Sequence, residues 1–79
     1  MLVMTPLEAN LKTPEAVIRL RLRLARVSQG MSQHKLASLV GVQQQTISYW
    51  EITGNVPGFM LGALSGALDV EMDFWDTRR

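Results

Sequence analysis

Apolar residues recur at helical spacing through most of the chain, and residues that start or stop helices separate the runs. Thr13-Pro14-Glu15 is a strong helix start: a side-chain acceptor for the cap, proline at the first helical position and a carboxylate near the positive end of the dipole. From Val17 to Val27 the chain alternates Arg and Leu, which is also the period-two pattern of a half-buried strand. The cap, a run of about fifteen residues, the Leu, Ala and Arg content and the stop at Gln29-Gly30 decide for a helix. On that helix Ile18, Leu22 and Ala25 face the core, while Arg19, Arg23 and Arg26 share one side. Val17, Leu20, Leu24 and Val27 form a second apolar stripe opposite the first, given a step of ~100° per residue. A surface helix has no use for two apolar stripes, so the second predicts a cover, either the N-terminal arm or another subunit.

Two short amphipathic helices meet at one glycine between Met31 and Glu51. Ser32 caps the first, Leu36, Leu39 and Val40 recur after it, and Gly41 can take the left-handed conformation that ends a helix tightly. The second buries Ile47 and Trp50, with Val42 plugging the turn, and turns Gln44, Gln45, Ser48 and Tyr49 outward. That outer face is polar, nearly uncharged and rich in forked amides. A helix-turn-helix that reads DNA needs this asymmetry, with an apolar side to seat the helix and an outer side of donors and acceptors matched to base edges.

Beyond it, Ile52 to Gly58 reads as a turn-rich loop. Met60, Leu61, Leu64, Ala67 and Leu68 then predict a helix ending near Asp69. Gly58, Gly62 and Gly66 fall every fourth residue, a spacing read here as close packing within the domain in preference to a dimer seam. Val70, Met72, Phe74 and Trp75 suggest a short last helix, with residues 77–79 frayed. Ahead of the first helix, residues 1–12 read as an arm that docks its Leu and Met side chains, although Thr5-Pro6-Leu7-Glu8 permits a short helix to about Leu11. The expected architecture is all-α: a compact five-helix bundle over residues 13–77, with no strand.

With 79 residues, 47% of them hydrophobic, the chain can build a single core. The absence of cysteine removes disulfides and thiolate metal sites and fits a reducing, cytoplasmic setting. The apolar start lacks a cationic lead and is broken by Pro6, unlike a signal peptide or a membrane span. No nucleophile-base pairing, carboxylate dyad or metal cluster suggests an enzyme or a cofactor, and lone His34 has no second ligand. A net charge of +1 hides strong segregation. From Lys12 to Trp50 six cations stand against Glu15 alone, a balance of +5, whereas Glu51 to Asp76 carries five carboxylates and no cation, a balance of −5. Only the basic part bears on DNA phosphates, through Lys35, Arg19, Arg23 and amides at helix starts.

Gln33-x-x-Leu36-Ala37-x-x-Val40-Gly41-Val42 followed by Thr46-Ile47-Ser48-x-Trp50-Glu51 resembles the helix-turn-helix of the phage repressor and Cro (XRE) superfamily. The resemblance runs from about Ile18 to Trp75 and includes Arg26, Gly30-Met31-Ser32-Gln33, Leu61-x-x-Leu64-x-x-Ala67-Leu68-x-Val70 and Asp73. It implies a lambda-repressor-like, five-helix fold that binds operator DNA as a two-fold dimer. It further implies base reading by Gln44, Gln45 and Tyr49, with Ser48 beside them. Gln33 would contact a phosphate and brace the first reader, Gln43 and Thr46 would serve backbone contact or bracing, and Arg26 and Glu51 would form a structural ion pair. A glutamine amide donates and accepts at once, so it can pair bidentately with adenine, discriminating by ~1 to 3 kcal/mol. The chain departs from the pattern after Glu51, where Ile52-Thr53-Gly54-Asn55 replaces a loop that usually supplies a lysine, with its glycine one place late.

The function these features predict is a sequence-specific double-stranded DNA-binding regulator, a small repressor of phage or plasmid type acting as a homodimer on a palindromic operator. The alternative is an antitoxin or adaptor whose partner protein covers Val17, Leu20, Leu24 and Val27 or the arm. No membrane association is expected.

Overall fold

Helix α1, Pro14–Ser28, begins where Thr13 accepts a hydrogen bond from the Ala16 amide at 3.1 Å, so the Arg-Leu alternation resolves as helix. The computed structural model describes residues 13–76; the arm, its permitted helix and residues 77–79 lie outside that range. Three further α-helices follow: α2, Gln33–Val40; α3, Gln44–Thr53; and α4, Leu61–Leu68. Two 3-10 turns, Gly58–Met60 and Met72–Trp75, lead into α4 and close the described chain. The expected fifth helix is therefore a single 3-10 turn. Asp69 ends α4 in the left-handed region at φ 55°, and only a few residues remain to fold Phe74 and Trp75 back onto the bundle.

α3 packs against both α1 and α2, α4 packs on α2, and the final 3-10 turn is wedged between α1 and α4. One core joins all of them: Leu22 and Ala25 from α1, Leu36 and Ala37 from α2, Ile47 and Trp50 from α3, Leu64 and Leu68 from α4, and Trp75 from the last turn. Ile18, Met31, Val40 and Val42 pack half-buried against it. Leu39 stands out of the core, half exposed. The polar interruption of α4 has a use, since Ser65 is buried, accepts the Trp75 indole N–H at 2.6 Å and donates to the Met72 sulfur at 3.3 Å.

The glycines differ from expectation. Gly58, Gly62 and Gly66 are exposed, and among the described residues a Cβ at any of them would meet nothing within 4 Å, so their spacing marks no close packing between the described elements. The close approach occurs at Gly54, a residue read from sequence as part of a loop. There α3 runs on to Thr53, Gly54 caps it at φ 73°, and a Cβ would lie 1.8 Å from the Glu15 carbonyl oxygen. The end of α3 is thereby seated on the first turn of α1.

Candidate nucleic-acid interface

The corner between α2 and α3 is built from three local choices. Ser32 accepts from the Lys35 amide at 3.0 Å, fixing where α2 starts. Gly41 takes φ 77°, a conformation strained for any other L-residue, and its amide returns to Ala37. The Val42 amide also bonds Ala37 O, at 3.0 Å, which turns the chain sharply and drops Val42 onto the core. Gln43 then caps α3 through its backbone only, so its side-chain amide is left exposed rather than spent on the helix.

α3 is amphipathic in the sense a reading helix requires. Ile47 is fully buried and Trp50 nearly so, while Gln44, Gln45 and Tyr49 are exposed and Ser48 and Thr46 are half-buried. The exposed set carries no formal charge. Between Glu15 and Asp69 the only carboxylate is Glu51, and it is buried and paired, so nothing on this long stretch of surface would repel a phosphate.

Glu51 organises the corner from below. Arg26 of α1 donates to it through a fork, Nε to Oε2 at 2.5 Å and Nη2 to Oε1 at 3.0 Å, and donates a third hydrogen bond to Met31 O at 2.7 Å. Gln33, the first residue of α2, donates to Glu51 Oε1 at 3.1 Å. One carboxylate thus ties α1, the loop before α2, the start of α2 and the end of α3. The paired side chains are only 12% and 5% exposed, enough burial that neither charge could stand alone without a large desolvation cost. This brace takes one of the two N–H donors of the Gln33 side-chain amide.

The segment after α3 holds a second arrangement that the sequence signalled only as a missing cation. Thr53 donates to Tyr49 O at 2.8 Å and accepts from the Asn55 amide at 3.1 Å, and the Asn55 side-chain amide reaches the Tyr49 hydroxyl at 3.4 Å. Asn55 therefore sits beside the exposed Tyr49 side chain. No periodicity could reveal it, because the contact depends on the left-handed turn at Gly54.

The cations divide into groups. Lys35 and His34 are exposed on the first turn of α2, next to the corner, and Arg19 is half-buried on α1. Arg23 is exposed and borders a groove with Leu20, Leu24 and Val27. Arg21, to which sequence reasoning gave no role, donates to Phe74 O at 2.7 Å and Asp76 O at 2.8 Å and lies over the Phe74 ring at 6.0 Å, so it clamps the last turn to α1. Among the described residues no group of three or more His, Cys, Asp or Glu could hold a metal ion, and no helix is long and apolar enough to cross a membrane.

No curated protein and no solved structure matches the chain. A family described as Helix-turn-helix does match, over residues 22–75, which takes in the core from Leu22 of α1 to Trp75 and the whole of the corner just described. With that match over more than half its length, the chain belongs to the XRE, lambda-repressor-like helix-turn-helix family of DNA-binding transcription regulators.

Proposed function

We propose that this protein is a sequence-specific repressor that binds a palindromic operator as a homodimer, one α3 to each half-site. The observation that carries the proposal is the outer face of α3, where two adjacent exposed glutamines and a tyrosine stand on a helix anchored by Ile47, Trp50 and Glu51. Gln44 and Gln45 supply paired donors and acceptors to base edges in the major groove, Tyr49 and Ser48 extend the reading surface, and Asn55 holds the Tyr49 hydroxyl. Lys35, Arg19, Arg23, Gln43, Thr46 and the second amide N–H of Gln33 meet the phosphates, with the uncapped first-turn amides of α3 assisting.

Occupancy of a site overlapping a promoter would exclude polymerase. Footprinting on DNA flanking the protein's own gene tests the reading. Two protected patches one helical turn apart, about 34 Å, are expected; uniform weak protection across unrelated DNA would refute it. The other reading, an antitoxin or adaptor, draws on the exposure of Leu24 and Val27, at 65% and 57%. It predicts that a partner protein, rather than a second copy, shields those two residues.

A further inference from the structure

We infer that Ile52 is a base-reading residue, and that what it reads is the C5-methyl group of a thymine in the major groove. The inference rests on the operator reading above and adds a specificity contact to it. Read from sequence, Ile52 opens a turn-rich loop; the structure runs α3 on to Thr53, which makes Ile52 a helical residue two places before the Gly54 cap. A step of ~100° per residue sets Ile52 within ~20° of Gln45 and two turns further along, with Ser48 and Tyr49 about 40° and 60° to either side. It thus stands in the middle of the outer face, opposite buried Ile47 and Trp50, and its side chain is 71% exposed. The seating of Gly54 on the Glu15 carbonyl fixes where this end of α3 lies.

An aliphatic side chain this open to water is out of keeping with the rest of the face. Gln44, Gln45, Ser48 and Tyr49 all carry hydrogen-bonding groups, as does Asn55 beyond the cap. On α3, Ile52 is therefore a single apolar point within a polar surface, unlike the contiguous apolar patch that a protein partner buries. The major groove has the matching pattern. Its base edges present donors and acceptors, and the C5-methyl of thymine is the one aliphatic group among them. Against thymine, Ile52 and the methyl leave water together. Against cytosine, the same side chain crowds the N4 donor and offers it no acceptor, so discrimination has an attractive and a repulsive part. Gln45 and Ile52 lie ~10.5 Å apart along the helix axis, which puts the thymine no more than about three base pairs from the pair that Gln45 reads.

The test uses the full chain and the duplex it enriches most strongly from a randomised pool. Each thymine of the half-sites is replaced in turn by deoxyuridine, which removes the methyl and leaves the other groups on the edge in place, and affinity is followed by fluorescence anisotropy. At one thymine per half-site, within about three base pairs of the pair whose preference Gln45→Ala flattens, the loss should be about fourfold, and about 15-fold when both half-sites are changed, as for one buried methyl each. Ile52→Ala should bind the thymine and uracil duplexes equally well. Alanine is the better helix former at so exposed a position, so a retained helical circular dichroism spectrum accompanies it. With cytosine at that position, methylation of its C5 should tighten binding of the parent about fourfold and leave Ile52→Ala unmoved. A methyl response of equal size in the parent and in Ile52→Ala, or the absence of any methyl-sensitive thymine, would overturn the inference; with Gln44→Ala still shifting preference, the amide reading stands without it. A preference untouched by both Gln44→Ala and Ile52→Ala would overturn the amide reading and the inference together.

Discussion

Gly54→Ala and Gly41→Ala make the same chemical change at two left-handed helix ends, φ 73° and 77°, yet the surroundings differ completely. At Gly41 a Cβ meets nothing within 4 Å, so the substitution reports backbone strain alone. That strain is about 1 to 2 kcal/mol for an L-residue, offset by about 0.4 to 1 kcal/mol from the stiffer unfolded chain, leaving a loss near 1 kcal/mol. At Gly54 the same Cβ would lie 1.8, 2.5 and 2.9 Å from the O, C and Cα of Glu15. Carbon and oxygen in contact settle at about 3.3 Å, so the two backbones must part by about 1.5 Å. The part of the structure able to give way is the first turn of α1, held by the Thr13 cap and by the Val17 amide bonded to Thr13 O at 3.2 Å. Releasing them loses about 1 kcal/mol each, for a total near 3 kcal/mol. Thermal unfolding followed by circular dichroism should place Gly41→Ala about 4 to 8 °C below the parent and Gly54→Ala at roughly three times that depression. If the two variants melt within about 2 °C of each other, α3 does not rest on α1 through this contact and the account of the loop is wrong.

Three other outcomes follow from the same structure. Glu51→Ala strands the largely buried Arg26 guanidinium and should cost about 3 to 5 kcal/mol in urea unfolding, whereas Arg26→Met with Glu51→Leu should recover much of it, the penalty being the unpaired charge rather than the lost bridge. Arg21→Met removes two hydrogen bonds from a charged donor to Phe74 O and Asp76 O; a loss of about 2 kcal/mol and a change in Trp75 emission should accompany release of the last turn. Lys35→Ala should lower the slope of log affinity against log salt by about one unit without altering sequence preference, as measured by fluorescence anisotropy on a fixed duplex.

What was legible in the sequence was local. Thr13, Ser32 and Gly41 announce helix ends through their own side chains or the lack of one, and the structure places helix boundaries beside each of them. Ile47 and Trp50 could be assigned to the core because their spacing leaves the glutamines on the other side. Features that depend on what lies across a gap could not be read this way. Gly54 looked like a loop residue because its reason is the Glu15 backbone, 39 positions earlier. Gly58, Gly62 and Gly66 looked like a packing seam because spacing describes a face and says nothing of what faces it. Arg21 vanished into the Arg-Leu alternation, although its helical angle already separated it from Arg19, Arg23 and Arg26; its partners are backbone carbonyls more than 50 residues on, which no side-chain pattern reveals. Gln33 shows the same limit in the interface itself, since only the fold brings its donor to Glu51.

The central claim is that the amide face of α3 chooses the sequence. Selection from a pool of randomised duplexes with the parent and with Gln44→Ala tests it most directly. The parent should enrich two inverted half-sites about ten base pairs apart, centre to centre. Gln44→Ala should flatten preference at one base pair in each half-site by about 5- to 150-fold, the equivalent of ~1 to 3 kcal/mol, and leave the other positions as they were. An unchanged preference, or an even weakening at every position, would contradict the claim.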